Sequence, residues 1–275
     1  MLKGSNDSMG MLRAYFDDSG SDQGSRTAVV AGYIGTDYQW KRFVARWKST
    51  LDAEGVQVLR RSALENFRGE FTEARGWNKE RRDRFVKKLH AIIKICTYTP
   101  IAAAVVKTDF ENVAPIWAKR LFGGPYGWCA FMCVLAVQGW RREHREPGPV
   151  DWVFESGTEG SREVHEMFEA PKRYAEIREA YSFNSYVFSN KSVKPLQAAD
   201  IIAYEWFKHV KNQILDGGKV PVRLSILDLL PKEGGNRYMT YWDKDRLELW
   251  FADCDKERPF GNHTLTELAA ALKRS

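Results

Sequence analysis

The stretch Lys194 to Phe207, KPLQAADIIAYEWF, constrains the fold more than any other, because it is apolar nearly all the way round yet carries an acid, Asp200, at its middle. Leu196, Ala199, Ala203 and Trp206 recur at three- and four-residue intervals, Ile202 widens the stripe, and Pro195 suits a first turn, so the spacing predicts a helix. A helix apolar on all sides is buried. Asp200 lies more than one turn from the positive end of that helix, where an unpaired carboxylate is costly. Arg, Lys, a proton or a metal ion could each partner it, and Gln197 and Tyr204, at i−3 and i+4, are placed to hydrogen-bond on its face. Taken alone, this helix fits a satisfied core aspartate equally well.

The rest of the chain bounds the answer. Its 275 residues and 44% hydrophobic content suffice for one large domain with a real core. A polar leader, residues 1–10, is set aside as disordered, leaving a single domain over 11–275 with its core at about 12–210 and an appendage over 211–275. The longest strongly apolar run, Trp128 to Val137, is far short of the roughly 20 residues of a membrane helix. With no signal-like leader, the expectation is a cytoplasmic protein that does not enter a membrane, and a homo-oligomer is compatible with it. Cys96, Cys129, Cys133 and Cys254 form no CxxC pair and the five His are scattered, so neither thiol chemistry nor zinc is expected. Lys and Arg exceed the acids 42 to 36, a formal charge of +6, which permits nucleic acid as a partner without demanding it.

In chain order, Leu12 to Asp17 alternates as a strand and Thr27 to Gly35 reads as a second, joined to it as a hairpin. Tyr38 to Leu51 reads as an amphipathic helix with Phe43, Val44, Trp47 and Leu51 inward. Val56 to Leu59 reads as a short strand. Asn78 caps a helix reaching about Ile95, whose outer face carries Arg81, Arg84 and Lys88. Pro100 to Lys107 fits a buried strand, Tyr126 to Arg145 a helix, Val150 to Glu155 a strand, Ser161 to Arg173 a helix and Tyr181 to Ser189 a strand. Arg246 to Phe251 fits strand or helix, and Thr264 to Glu267 is a capping box opening a last helix.

Two of those strands end alike, in Phe16-Asp17-Asp18-Ser19-Gly20 and Phe154-Glu155-Ser156-Gly157. Each ending alone is ordinary turn chemistry. If the strands are parallel neighbours, however, Asp17 and Glu155 emerge together at their carboxyl ends, where open α/β sheets bind ligands, and Asp200 could close the set. Converging carboxylates without basic neighbours repel unless cations neutralise them, and hard divalent ions, Mg²⁺ or Mn²⁺, suit oxygen ligands. Two such ions about 4 Å apart would serve phosphodiester hydrolysis.

At these residues the sequence resembles the "domain of unknown function 3800" family, which pairs an amino-terminal strand ending in Asp-(Glu/Asp)-Ser-Gly with a late Leu-Gln-x-Ala-Asp-x-(Ile/Leu)-Ala-Tyr helix. The matching residues are Asp17-Asp18-Ser19-Gly20 and Leu196-Gln197-Ala198-Ala199-Asp200-Ile201-Ile202-Ala203-Tyr204. The resemblance implies an α/β, ribonuclease H-like fold, a mixed β-sheet flanked by helices, whose nucleases place one acid on the first strand, one on the fourth and one on the last helix. Those roles fall on Asp17, Glu155 and Asp200. Where members of that superfamily have a fourth acid, sometimes three residues from the helical one, this chain has Gln197 and Ala203, which leaves Asp18 and Glu65 as candidates.

The expected activity is therefore metal-dependent cleavage of nucleic acid, DNA or RNA. Asp17, Glu155 and Asp200 would be catalytic and, with Asp18, metal-binding. Lys191 or Lys194 would orient the scissile phosphate, and Arg60, Arg61, Arg81, Arg84 and Lys88 would hold the backbone. The alternatives are a non-catalytic nucleic-acid- or protein-binding module of the same fold, and a metal-dependent phosphohydrolase of small esters.

Overall fold

Strand β1 (Leu12–Ser19) lies at the centre of one mixed sheet and fixes the arrangement around it. The chain is described here from a computed structural model covering residues 11–20, 24–157, 160–173, 175–230 and 237–257. With β2 (Thr27–Thr36), β3 (Pro100–Val106), β4 (Val150–Glu155), β5 (Phe183–Ser189) and β6 (Met239–Trp242), β1 builds a six-stranded sheet in the order β5-β4-β1-β2-β3-β6. The β1–β2 and β2–β3 pairings are antiparallel, whereas β1–β4, β4–β5 and β3–β6 are parallel. Central strands covered on both faces must be apolar throughout, and β3, PIAAAVV, is buried at every position.

The helices are α1 (Asp37–Glu54), α2 (Arg61–Glu65), α3 (Lys79–Cys96), α4 (Lys107–Val113), α5 (Ile116–Phe122), α6 (Pro125–His144), α7 (Ser161–Arg173), α8 (Ala175–Ala180), α9 (Lys194–His209), α10 (Leu224–Leu229) and α11 (Lys244–Glu257). They form a layer on each face of the sheet. One core joins Leu12, Ala14 and Phe16 of β1 and Trp152 and Phe154 of β4 to α6, α7 and α11. The other joins Tyr15 and Val153 to α1, α3 and α9. Alternation along the strands makes the division: even-numbered residues of β1 and β4 face α6, and odd-numbered ones face α9.

Helix α9 runs as its period predicts, buried at Leu196, Ala199, Ile202, Ala203 and Trp206 against the second core. Asn78 caps α3 by accepting the Arg81 N–H, as its position suggested. Helix α1 differs from expectation on one point: Val44 is 39% exposed, and Trp40 joins Phe43, Trp47 and Leu51 on the buried stripe.

Two expectations are corrected. Val56 to Leu59 is not a strand, because its N–H groups go elsewhere than to a ladder: Val56 donates to the Leu51 carbonyl at 3.0 Å, Gln57 and Val58 to the Glu70 carboxylate at 2.8 and 3.1 Å, and Leu59 to Gln197 Oε1 at 3.2 Å. Nor is the region after Val210 wholly an appendage. Strand β6 pairs with β3 from Ala102–Met239 to Val105–Trp242 and finishes that edge of the sheet, while Arg246 to Phe251 lies within helix α11. The leader at 1–10 and the helix expected from Thr264 lie outside the described residues.

No single helix among the described residues is long and apolar enough to cross a membrane. Helices α5 and α6 are apolar enough when taken together, but they are bent by 78°, and α6 packs into the first core.

Candidate active site

The parallel pairing of β1 with β4 aligns Tyr15 with Val153 and Phe16 with Phe154, so continuing the register sets Asp17 beside Glu155. Both acids project to the α9 face. Gly20 follows at φ 82°, a left-handed conformation, and lets the chain leave the strand beside Thr27, whose carbonyl a Cβ would approach to 2.1 Å. On the other side of β4, Glu155 pairs with Ser189 at the end of β5. The turn Asn190 to Val193, closed by Val193 N–H donating to the Asn190 carbonyl at 3.0 Å, then leads into α9. That turn carries Lys191.

Lys191 Nζ lies 3.1 Å from Asp17 Oδ2, 3.0 Å from Glu155 Oε2 and 3.0 Å from Asp200 Oδ1. Three acids from β1, β4 and α9 therefore meet around one ammonium that is only 7% exposed. Asp200 also accepts the Arg61 N–H through Oδ2 at 2.5 Å, and Asp17 accepts the Asp18 N–H through Oδ1 at 2.8 Å. Gln197, fully buried, does not bond to Asp200 as its position suggested. It donates to the Lys191 carbonyl at 2.7 Å and accepts from Trp47 Nε1 at 2.8 Å and from Leu59 N, so it fixes the main chain that carries the lysine.

Burial pushes the Asp17 carboxyl well above its ordinary range; a hydrogen bond to Glu155 and the charges of Asp200 and Glu155 reinforce this against the pull of Lys191. Burial also works to raise Glu155, but the bond from Asp17 and the charges of Lys191 and Arg60 outweigh it and hold this carboxyl low. The two neighbouring carboxyls are thus shifted in opposite directions, Asp17 up and Glu155 down. Burial likewise works against the charge of Lys191, yet Asp200, Asp17 and Glu155 hold its ammonium above the usual range.

The other expected site residues are distributed as follows. Asp18 pairs with Val30, and alternation turns it toward the α6 face, where it borders a small cavity with Phe16, Val30 and Phe154 that Asp17 and Glu155 also line. Asp18 is not among the three acids that Lys191 gathers, which departs from its expectation as a further ligand beside them. Glu65 is held instead by Arg61 Nη1 at 2.7 Å and Arg223 Nη2 at 3.1 Å. Arg61 is 3% exposed, with Nη2 2.7 Å from Glu205 Oε1, so it neutralises a buried acid and is withdrawn from any phosphate.

Arg81 lies over the Trp77 ring and binds Glu54 at 3.0 Å, and Lys88 reaches the same carboxylate at 3.3 Å, so both tie α3 to α1. Lys194 donates to the Gln57 carbonyl at 2.8 Å and pins the 56–59 loop to the start of α9. Arg60 and Arg84 are exposed, and Arg60 stands near enough to Glu155 to lower its pKa.

Sequence reasoning gave no role to Glu205. A glutamate inside a helix that is apolar on every side was the available signal, since it must find a cation; here it finds Arg61, Arg223 and Ser225. Cys96, Cys129 and Cys133 are buried, as core packing predicts.

As spaced here, no three His, Cys, Asp or Glu side chains among the described residues are arranged to hold a metal ion. The donor set does suit a hard divalent cation, since its ligands are carboxylate oxygens from three elements converging on one cationic centre. No protein-family model matches the chain, and neither a curated protein nor a solved structure gives a match.

Proposed function

We propose that the chain is a metal-dependent nuclease with a ribonuclease H-like fold, hydrolysing phosphodiester bonds at Asp17, Glu155 and Asp200 with Mg²⁺ or Mn²⁺. The observation that carries this reading is the convergence of those acids, one each from the first strand, the fourth strand and helix α9, on a single buried cation. Acids placed in that order are what the family resemblance of the two motifs implies. A bound divalent ion supplies a water nucleophile at neutral pH and neutralises charge that builds on the phosphate. The chain's part is to hold the ion through the three carboxylates and to bind the polymer. Arg60, exposed beside Glu155, is suited to a backbone phosphate, and the formal charge of +6 favours a polyanion.

One observation favours a second reading, a non-catalytic nucleic-acid- or protein-binding module of the same fold. Lys191 already neutralises the acids, which then serve structure alone.

The two readings separate in a cleavage assay on DNA and RNA with Mg²⁺ and with Mn²⁺, comparing wild type with Asp200→Asn. Metal-dependent cleavage by wild type that is lost in a folded Asp200→Asn variant is the expected result. Binding without cleavage by either protein selects the second reading.

A further inference from the structure

The point where the three acids meet is held by a cation belonging to the chain itself. Lys191 Nζ contacts one oxygen of each acid at 3.0 to 3.1 Å, and its stem is buried with it. Oxygen ligands stand about 2.0–2.1 Å from Mg²⁺. An ion bound by these same oxygens would take the centre now filled by Nζ and draw the carboxylates inward around it. Two cations cannot share that centre. The main chain of Lys191 is fixed by Gln197 Nε2 and by the closed turn at Asn190, so only the side chain is left to move, about its four rotatable bonds.

We propose that Lys191 is a resident counter-ion that occupies the metal position in the free protein and competes with the divalent ion for it. The inference rests on the metal site proposed above and adds to it. Without metal, the ammonium prevents the repulsion that would otherwise push Asp17, Glu155 and Asp200 apart. When a divalent ion enters, the lysine must withdraw, and metal binding bears the loss of three ion pairs.

The test is Mn²⁺ titration of the full chain by calorimetry, with thermal unfolding in EDTA and in Mn²⁺, for wild type and Lys191→Met. Methionine keeps the length and apolar stem of lysine without its charge. The expected variant melts lower than wild type in EDTA, recovers in Mn²⁺, and binds Mn²⁺ tighter by on the order of tenfold or more. Wild-type binding with no tightening in Lys191→Met overturns the competition and leaves the metal site standing. Absence of Mn²⁺ binding to both folded proteins overturns the metal site and the competition together.

Should Lys191→Met not fold without metal, Lys191→Arg carries the test. It keeps the charge with a bulkier head, and its Mn²⁺ affinity is expected at or below that of wild type. Tighter binding in Lys191→Arg overturns the proposal.

Discussion

Arg61 and Asp200 meet through the main chain and not through opposite charges. The Arg61 N–H donates to Asp200 Oδ2 at 2.5 Å, while its guanidinium turns inward to Glu205 at 2.7 Å. The start of α2 is thereby fastened twice to α9, once at the candidate site and once at a buried ion pair behind it. Glu205 is fully buried, and Arg223 and Ser225 complete its hydrogen bonds.

Removing the guanidinium should therefore destabilise the fold without weakening phosphate contacts. For Arg61→Met, urea denaturation is expected to show a loss of about 2 kcal/mol, since Glu205 loses one of its two guanidinium partners while Arg223 and Ser225 remain. Replacing both partners, Arg61→Met with Glu205→Leu, should recover much of it. A single variant as stable as wild type would contradict the pairing.

Acid should loosen the same cluster. Burial works to raise the Glu65 carboxyl, but Arg61 and Arg223 hold it at about 2 against an ordinary 4.5. Its folded pKa is depressed, so its contribution is fully present above pH 4.5 and is lost as pH falls from there toward 2. Glu205 is shifted in the same direction. Wild type should lose stability steeply across that window, and Glu65→Gln, less stable at neutral pH, should lose less. Parallel stability–pH curves would refute this assignment.

Asp17 carries the opposite sign. Its folded pKa is raised, so its burial as an anion costs stability above the ordinary carboxylate range, and this cost disappears as pH falls below that range. Asp17→Asn puts a permanently uncharged side chain of the same shape at that position. In EDTA at pH 7 its Tm is expected to rise by a few degrees, an advantage that shrinks on acidification. Mn²⁺ binding and any cleavage should be lost in the same variant. A lower Tm at neutral pH would count against a raised Asp17 pKa.

Under the proposed nuclease reading, Arg60, exposed and near Glu155, is expected to contact the polymer backbone. Arg60→Ala should weaken binding of DNA or RNA across sequences alike and reduce the slope of log K against log salt by about 1. Arg81→Ala, which removes a strut between α1 and α3, should lower stability and leave that slope unchanged. A slope insensitive to Arg60 would place the polymer elsewhere.

Much of this was legible before any coordinates, where the information is periodic or local. The recurrence of apolar residues in α9, alternation in β1 and β4 and the echo of Phe-Asp with Phe-Glu pointed to Asp17 and Glu155 at neighbouring strand ends with Asp200 of the helix closing the set. What escaped depends on groups distant in sequence. Val56 to Leu59 has strand-like residues, but no pattern tells that a carboxylate at Glu70 and an amide at Gln197 will take their N–H groups. Lys191 was recognisable as a basic residue near the site. Its place among the acids follows from the pairing of Glu155 with Ser189, a register that alternation alone does not set. Strand β6, four residues long, gave too short a period to read.

The stacked rings of Phe16 and Phe154, 5.5 Å apart on the α6 side, immediately precede the acids Asp17 and Glu155 that face α9. Both rings act as a vernier for the carboxylates: a slip of one residue between β1 and β4 would turn a phenylalanine toward the lysine and an acid into the aromatic core. Charge alignment on one side of the sheet is thus inherited from oil on the other, and tolerance for change at these two rings should be as narrow as at the acids themselves.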